Sequence, residues 1–300
     1  MSQPNQLIVP NIWSNGVAQE QADFYLNTFR DARQGATQHY PTEGLPDFQQ
    51  HLAGQPVVVD VEVAGFTFTL INAGPEFTPN PSLNLMVNFD PLLYSDAEEY
   101  LEQVYAALSD GGQVLMPLQE YPFAKKYAFV EDRYHVSWQL ILTNPAGDPR
   151  PFLMPSLLFG GAAQNRCREA VQTYIDLLPD SRWGLVAEYP EPTGPADAGS
   201  IMFSDFQLGG QWFTAMDSGA EQPFTFSEGA SLLVLADGQS EIDRLWEVLS
   251  TVPEAEQCGW CRDAFGLSWQ VVPTNLGELM ARPGAYENMM QMKKLEIDRF

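Results

Sequence analysis

Two adjacent pairs, Trp138-Gln139 and Trp269-Gln270, are the residues whose type and spacing best carry chemistry. A side-chain amide offers an acceptor oxygen and two donor hydrogens. Set in an apolar cleft, it is suited to orienting a small ligand. Neighbours on a strand point to opposite faces, so if the tryptophans fill a core, the glutamines line the other side. The alternative keeps the tryptophans as core anchors and the glutamines as structural hydrogen-bond partners. Cys258 and Cys261 form a lone C-x-x-C without the further ligands a four-coordinate zinc site needs, and reduced thiols are expected. All three histidines (His39, His51, His135) lie in the first half, so no imidazole site can form from the second alone. Glu62 and Glu76 are candidate bases, but read more simply as solvated strand and turn residues. No Ser/His/Asp set, no paired carboxylates and no phosphate loop stand out.

The glutamine pairs belong to a duplication. Asp132-Arg133-Tyr134-His135-Val136-Ser137-Trp138-Gln139 is echoed by Asp263-Ala264-Phe265-Gly266-Leu267-Ser268-Trp269-Gln270, with Thr143-Asn144 and Thr274-Asn275 following at the same distance. Earlier blocks recur in the same order. Val9-Pro10-Asn11-Ile12-Trp13 matches Met154-Pro155-Ser156-Leu157-Leu158, Gly65-Phe66-Thr67 matches Gly210-Gln211-Trp212, and Leu85 to Asp90 matches Leu232 to Asp237. At 300 residues the chain suits two domains. We place them at 1–147 and at 148–300, the latter with a C-terminal helical tail, joined at the Pro/Gly segment 144–149. His135 stands where the second copy has Gly266, so it is expected in a surface turn. If one copy alone retains a site, the second, which keeps Cys258-Gly259-Trp260 against Tyr127-Ala128-Phe129, is the better candidate.

The elements that must hold these residues follow from periodicity. Each copy opens on a short apolar strand ending at Asn15-Gly16 or Gly160-Gly161. A helix follows, with Ala22, Tyr25, Leu26 and Phe29, or Val171, Tyr174, Ile175 and Leu178, at helical spacing. Alternation in Val59-Asp60-Val61-Glu62-Val63 marks a strand with one wet face, and Ala64-Gly65 and Gly209-Gly210 mark hairpins. Ser95 and Glu98 read as a capping box for a helix over 97–108. The order is strand–helix–strands, twice per copy, an α+β protein.

Composition excludes other classes. The net charge of −24 divides evenly, 5 Lys/Arg against 17 Asp/Glu in residues 1–147 and 10 against 22 in 148–300. Such a surface repels phosphate backbones and anionic headgroups, so neither nucleic acid nor membrane is an expected partner. Acidity is consistent with general solubility or with a cleft for cationic ligands. No apolar run reaches transmembrane length, residues 1–6 read as no signal peptide, and a cytoplasmic location is expected.

The residues also resemble a known family. The run from Cys258 to Pro273, the opening Pro10-Asn11-Ile12-Trp13 with Asn15-Gly16, the Phe24-Tyr25 and Phe29 helix, Gly74-Pro75-Glu76-Phe77 and Met292-Lys293-Lys294-Leu295 are similar to PhnB-like proteins. These are also labelled 3-demethylubiquinone methyltransferase-like and form a branch of the vicinal-oxygen-chelate (glyoxalase/bleomycin-resistance) superfamily. The resemblance implies paired βαβββ modules curving into half-barrel sheets, two such domains in tandem as an internal pseudo-dimer, and a homodimer as one option. It does not imply methyl transfer, since Asn15-Gly16 and Gly160-Gly161 are turn punctuation and not a donor-binding loop. Superfamily enzymes hold a divalent metal on four strand positions, which fall near Pro10 and Pro155, near Leu83 and Ala230, at Gln139 and Gln270, and near Thr69–Asn72 or Thr214–Asp217. One neutral donor per domain is too few, so no metal and no cofactor are expected. The expectation is a small-molecule-binding protein, with a cationic or aromatic ligand in view, and cleft candidates Trp13, Asn72, Gln139, Trp212, Asp217 and Gln270. The alternative is a metal-dependent lyase, isomerase or dioxygenase of the same superfamily.

Overall fold

A computed structural model describes residues 6–43, 45 and 47–300; residues 1–5, part of the segment read above as no signal peptide, lie outside them. Four modules follow one another along the chain. The first is β1 (Ile8–Asn15), α1 (Ala18–Thr28), β2 (Ala32–His39), β3 (Pro56–Val63) and β4 (Phe66–Ala73). The second is β5 (Leu83–Phe89), α2 (Ala97–Ser109), β6 (Gln113–Tyr121), β7 (Ala124–Glu131) and β8 (Ser137–Leu142). The third is β9 (Leu153–Phe159), α3 (Cys167–Leu177), β10 (Arg182–Glu188), β11 (Ile201–Leu208) and β12 (Gln211–Asp217). The fourth has β13 (Ala230–Ala236), α4 (Gln239–Leu249), β14 (Trp260–Arg262) and β15 (Ser268–Pro273), before the short tail helices α5 (Leu276–Met280) and α6 (Ala285–Met290).

The modules pair across the halves. Sheet one runs β14-β15-β13-β1-β4-β3-β2, joining modules one and four. Sheet two runs β10-β11-β12-β9-β5-β8-β7-β6, joining modules three and two. The joints are antiparallel, with Asn11 opposite Ser231 between β1 and β13, and Asn84 opposite Ser156 between β5 and β9. The apolar cores divide differently. One gathers Tyr25, Phe68, Leu101 and Trp138 from the first half, the other Tyr174, Phe213, Leu245 and Trp269, mostly from the second. The core of each half thus lies between helices and both sheets, while each sheet is shared. This is the internal pseudo-dimer at strand level.

Local sequence accounts for the elements. Ala18, Ala22 and Tyr25 bury one stripe of α1, and Cys167, Ala170, Val171 and Tyr174 the matching stripe of α3. The hairpins expected at Ala64-Gly65 and Gly209-Gly210 form with both central residues at positive φ (50° and 82°, 58° and 75°), the twist that two-residue turns between strands require. The capping box at Ser95 does not form. Asp96 is the N-cap, without a side-chain bond, and Glu98 pairs with Lys126 at 2.6 Å.

Candidate binding site

The repeated Ser-Trp-Gln block is fixed by a buried carboxylate on its helix side. Asp132, 1 % exposed, accepts bonds from Tyr25 Oη (2.8 Å), Trp138 Nε1 (2.9 Å) and the backbone N–H groups of Tyr134 and Val136 (2.8 and 3.1 Å). Asp263 repeats this with Tyr174 (2.6 Å), Trp269 (2.9 Å), Phe265 and Leu267. Burial pushes Asp132 up to about 6 against these four donors. The turn that presents the backbone donors needs a left-handed residue, Gly266 in one copy and His135 (φ 65°) in the other. His135 is exposed there and meets Glu131 at 2.9 Å. With both tryptophans fully buried, strand alternation turns Gln139 and Gln270 to the helix-free faces.

On sheet two, Gln139 sits in a polar row that crosses the strands. Its Oε1 accepts from Tyr127 Oη at 2.7 Å, and its Nε2 donates to Asn84 Oδ1 at 2.9 Å and Ser156 Oγ at 3.0 Å. Thr214 pairs in register with Ser156, and Asp205 with Thr214. At the row's end Asp205 is held by Arg150 at 2.9 Å, whose guanidinium lies 4.0 Å over the Trp212 ring. Tyr127, Phe129 and Leu158 pack around the row with Met216 and Phe224. Gln139 is 2 % exposed, while Trp212, Met216 and Phe224 stay partly exposed at the margin of the row.

Sheet one carries the equivalent row, Asp60, Thr69, Asn11, Ser231 and Gln270, with different satisfaction. Thr69 Oγ1 donates to Asp60 Oδ1 at 2.6 Å, and Asn11 Nδ2 to Gln270 Oε1 at 3.3 Å. Asn11 Oδ1 and Ser231 Oγ, in side chains only 1 % exposed, have no partner. Cys258 stands where the first half has Tyr127, so no phenol closes onto Gln270. Gln270, Asp60, Trp13 and Trp260 stay partly exposed, whereas Gln139, Asp205, Leu158 and Phe129 at the equivalent places of sheet two are buried. Burial raises the Asp60 carboxyl above its ordinary range, opposed by the Thr69 bond. The site belongs to neither half alone, since β1, β3 and β4 come from the first and β13, β14 and β15 from the second.

The six cleft candidates separate. Trp13 lies on the helix-free face of sheet one, its Nε1 donating to Gly74 O at 2.7 Å and its ring meeting Phe77 edge-on at 4.9 Å. Gln270 shares that face; Gln139 and Trp212 lie on the equivalent face of sheet two. Asn72 and Asp217 turn the other way. Asn72 Oδ1 accepts from Ala18 N at the start of α1, and Asp217 Oδ1 from Cys167 N at the start of α3, so both tie helix starts to their sheets and line neither cleft. The strand positions placed at Pro10, Pro155, Leu83 and Ala230 are off by one residue. These side chains share the helix-side parity, and Asn11, Ser156, Asn84 and Ser231 face the clefts. A one-residue slip exchanges the faces of a strand. Asp60 and Asp205 were also missed, although alternation around Asp60 marked its wet face.

The corrected positions bear on a metal. Each row offers amides and hydroxyls, with a single carboxylate at its end, and no group of three or more His, Cys, Asp or Glu that could hold a metal ion occurs among the described residues. Neutral donors on this scale do not fit a divalent cation. Cys258 and Cys261 do not supply the lack. Both are buried, Cys261 within the core, and burial raises both thiols above their ordinary range.

Comparison with known proteins agrees with the geometry. No curated protein matches the chain. Glyoxalase I from Zea mays shares 11 % identity, covering 90 % of this chain and 95 % of its own at a TM-score of 0.53, a likeness of fold. A PhnB protein from Bacillus cereus shares 29 % identity over 46 % of this chain and 100 % of its own (TM-score 0.39). A Pseudomonas aeruginosa protein shares 20 % over 46 % and 98 % (TM-score 0.37). The profile described as 3-demethylubiquinone-9 3-methyltransferase matches residues 6–141 and again 152–272. The chain therefore belongs to this PhnB-like 3-demethylubiquinone-9 3-methyltransferase family, with the family's unit present twice.

Proposed function

We propose that the protein binds a small organic molecule on the helix-free face of sheet one, without a divalent metal at the row. The observation that carries this is the pair of buried, unpartnered atoms Asn11 Oδ1 and Ser231 Oγ beside the partly exposed Gln270. An unmet buried polar group costs roughly 1–3 kcal/mol; in sheet two the equivalents of Asn11 and Ser231, Ser156 and Asn84, are both bonded by Gln139, and of that row Thr214 Oγ1 is left without a partner. Trp13 and Trp260 supply apolar surface beside the polar groups, the usual make-up of a small-molecule site. Methyl transfer is no part of this reading. The helices lie on one side of mixed sheets, unlike the doubly wound sheet with a glycine-rich first turn that cradles a nucleotide-like donor.

A thermal-shift screen of small organic compounds tests the reading, repeated on Gln270→Ala and Gln139→Ala. Ligands that stabilise the parent protein should lose their effect in Gln270→Ala and keep it in Gln139→Ala. Elemental analysis of protein purified without chelator tests the metal. A stoichiometric divalent ion lost on Gln270→Ala would instead favour the metal-dependent enzyme.

A further inference from the structure

We infer that the ligand of sheet one presents a compact organic cation, an amidinium, guanidinium or primary ammonium, to Asp60. This rests on the binding reading above and names the class of molecule bound. The two sheets serve as each other's comparison. Asp60 and Asp205 occupy the same place, each opposite the threonine of its row in register (Thr69 and Thr214). In sheet two the chain fills that place itself. Arg150 meets Asp205 at 2.9 Å and lies flat on Trp212 at 4.0 Å, the arrangement by which a bound guanidinium would be held. Counting back from the matched Pro155 and Pro10, the repeat puts Asn5, a neutral residue outside the described ones, where the second half has Arg150. Among the described residues, sheet one thus keeps the carboxylate without a built-in cation.

Two neighbouring charges on this face are paired. Glu62 pairs with Arg33 at 2.6 Å and Arg262 pairs with Glu228. Asp60 has no ion-pair partner among the described residues, and its one side-chain bond comes from neutral Thr69. Two strands away Asn11 Oδ1 waits for a donor. Trp13, in register with Ile71, lies one strand step further along, roughly 12 Å from Asp60 by strand geometry. A cation with a flat apolar body spans that distance.

Isothermal titration of the full chain with benzamidine and with its neutral counterpart benzamide tests this. Benzamidine should bind once per chain and about tenfold or more tighter than benzamide. Asp60→Asn should remove that preference and leave benzamide unchanged. Arg150→Ala should free the equivalent place and add a second benzamidine site. Equal affinity for the two probes overturns the cation assignment and leaves the binding reading standing. No binding of either probe also overturns the assignment, and if no compound in the thermal screen binds either, both fall. If Asp60→Asn does not fold, the probe pair on the parent protein decides alone.

Discussion

The Tyr127 hydroxyl donates to Gln139 Oε1 at 2.7 Å and so completes an amide whose other end already serves Asn84 and Ser156. Cys258 replaces the tyrosine beside Gln270, whose Oε1 accepts only the longer bond from Asn11 Nδ2 at 3.3 Å among the described residues. The same motif residue is therefore structural in one sheet and available in the other. Gln139→Ala strands three buried polar partners and should cost roughly 2–4 kcal/mol in urea unfolding, Tyr127→Phe about 1–2, and Gln270→Ala less than about 1. Equal costs for the two glutamine variants would show that both rows are structural.

The buried Asp132 predicts a pH dependence. Its carboxyl, 3.8 when unperturbed, is raised to about 6 in the folded protein. The folded state therefore binds this proton more tightly than the unfolded one. The group's contribution to stability is full below about pH 4 and is lost as pH rises through about 6. Asp132→Asn abolishes the titration and places an amide N–H₂ against Trp138 Nε1 and two backbone N–H groups that can only donate, so it should destabilise at every pH. The gap from the parent should be wider at pH 5 than at pH 8, by about 1 kcal/mol. Urea unfolding at the two pH values measures it; a gap that is constant or narrower at pH 5 would mean that Asp132 stays ionised throughout.

Much of this was legible in the sequence. The repeat of Ser-Trp-Gln with its downstream Thr-Asn, the paired helices around Tyr25 and Tyr174 and the hairpin glycines placed the modules. Parity alone put Gln139 and Gln270 opposite their tryptophans. What sequence did not reveal was which module sits beside which, since β1 meets β13 and β5 meets β9 across more than sixty residues of chain. That is a tertiary choice with no local signal. Strand parity at Leu83 and Pro155 also failed, because β5 and β9 are buried on both faces and carry no alternation to fix their phase. Asn72 and Asp217 looked like ligands and proved to hold helix starts, which short polar side chains do as readily.

The cysteines give a chemical check on the core. Cys167, Cys258 and Cys261 are buried and unpaired, with thiols raised by burial. A thiol reagent at pH 8 should leave the folded protein almost unmodified and label all three in denaturant. Rapid labelling of Cys258 without unfolding would show that the tail segment around Met289, whose carbonyl faces its Sγ at 3.4 Å, opens readily in solution.

The shared sheets make the two halves mutually dependent. Residues 1–147 alone would expose one long side of β1, from which β13 is gone, and one of β5, from which β9 is gone. Each edge consists of unpaired backbone donors and acceptors, a template for another strand. The half also keeps its own apolar core, so it should fold without its partner and then seek one. Two copies can satisfy each other by setting β1 of one against β5 of the other, as β1 meets β13 in the intact chain. Residues 1–147 expressed alone should therefore elute as a dimer in size-exclusion chromatography with light scattering. Co-expressed with residues 148–300, they should form a one-to-one complex that displaces this dimer, because Asn11 then regains Ser231 across the joint. A stable monomer of either half would show that the edges are protected by something other than the strands described, and would separate the two halves as independent domains.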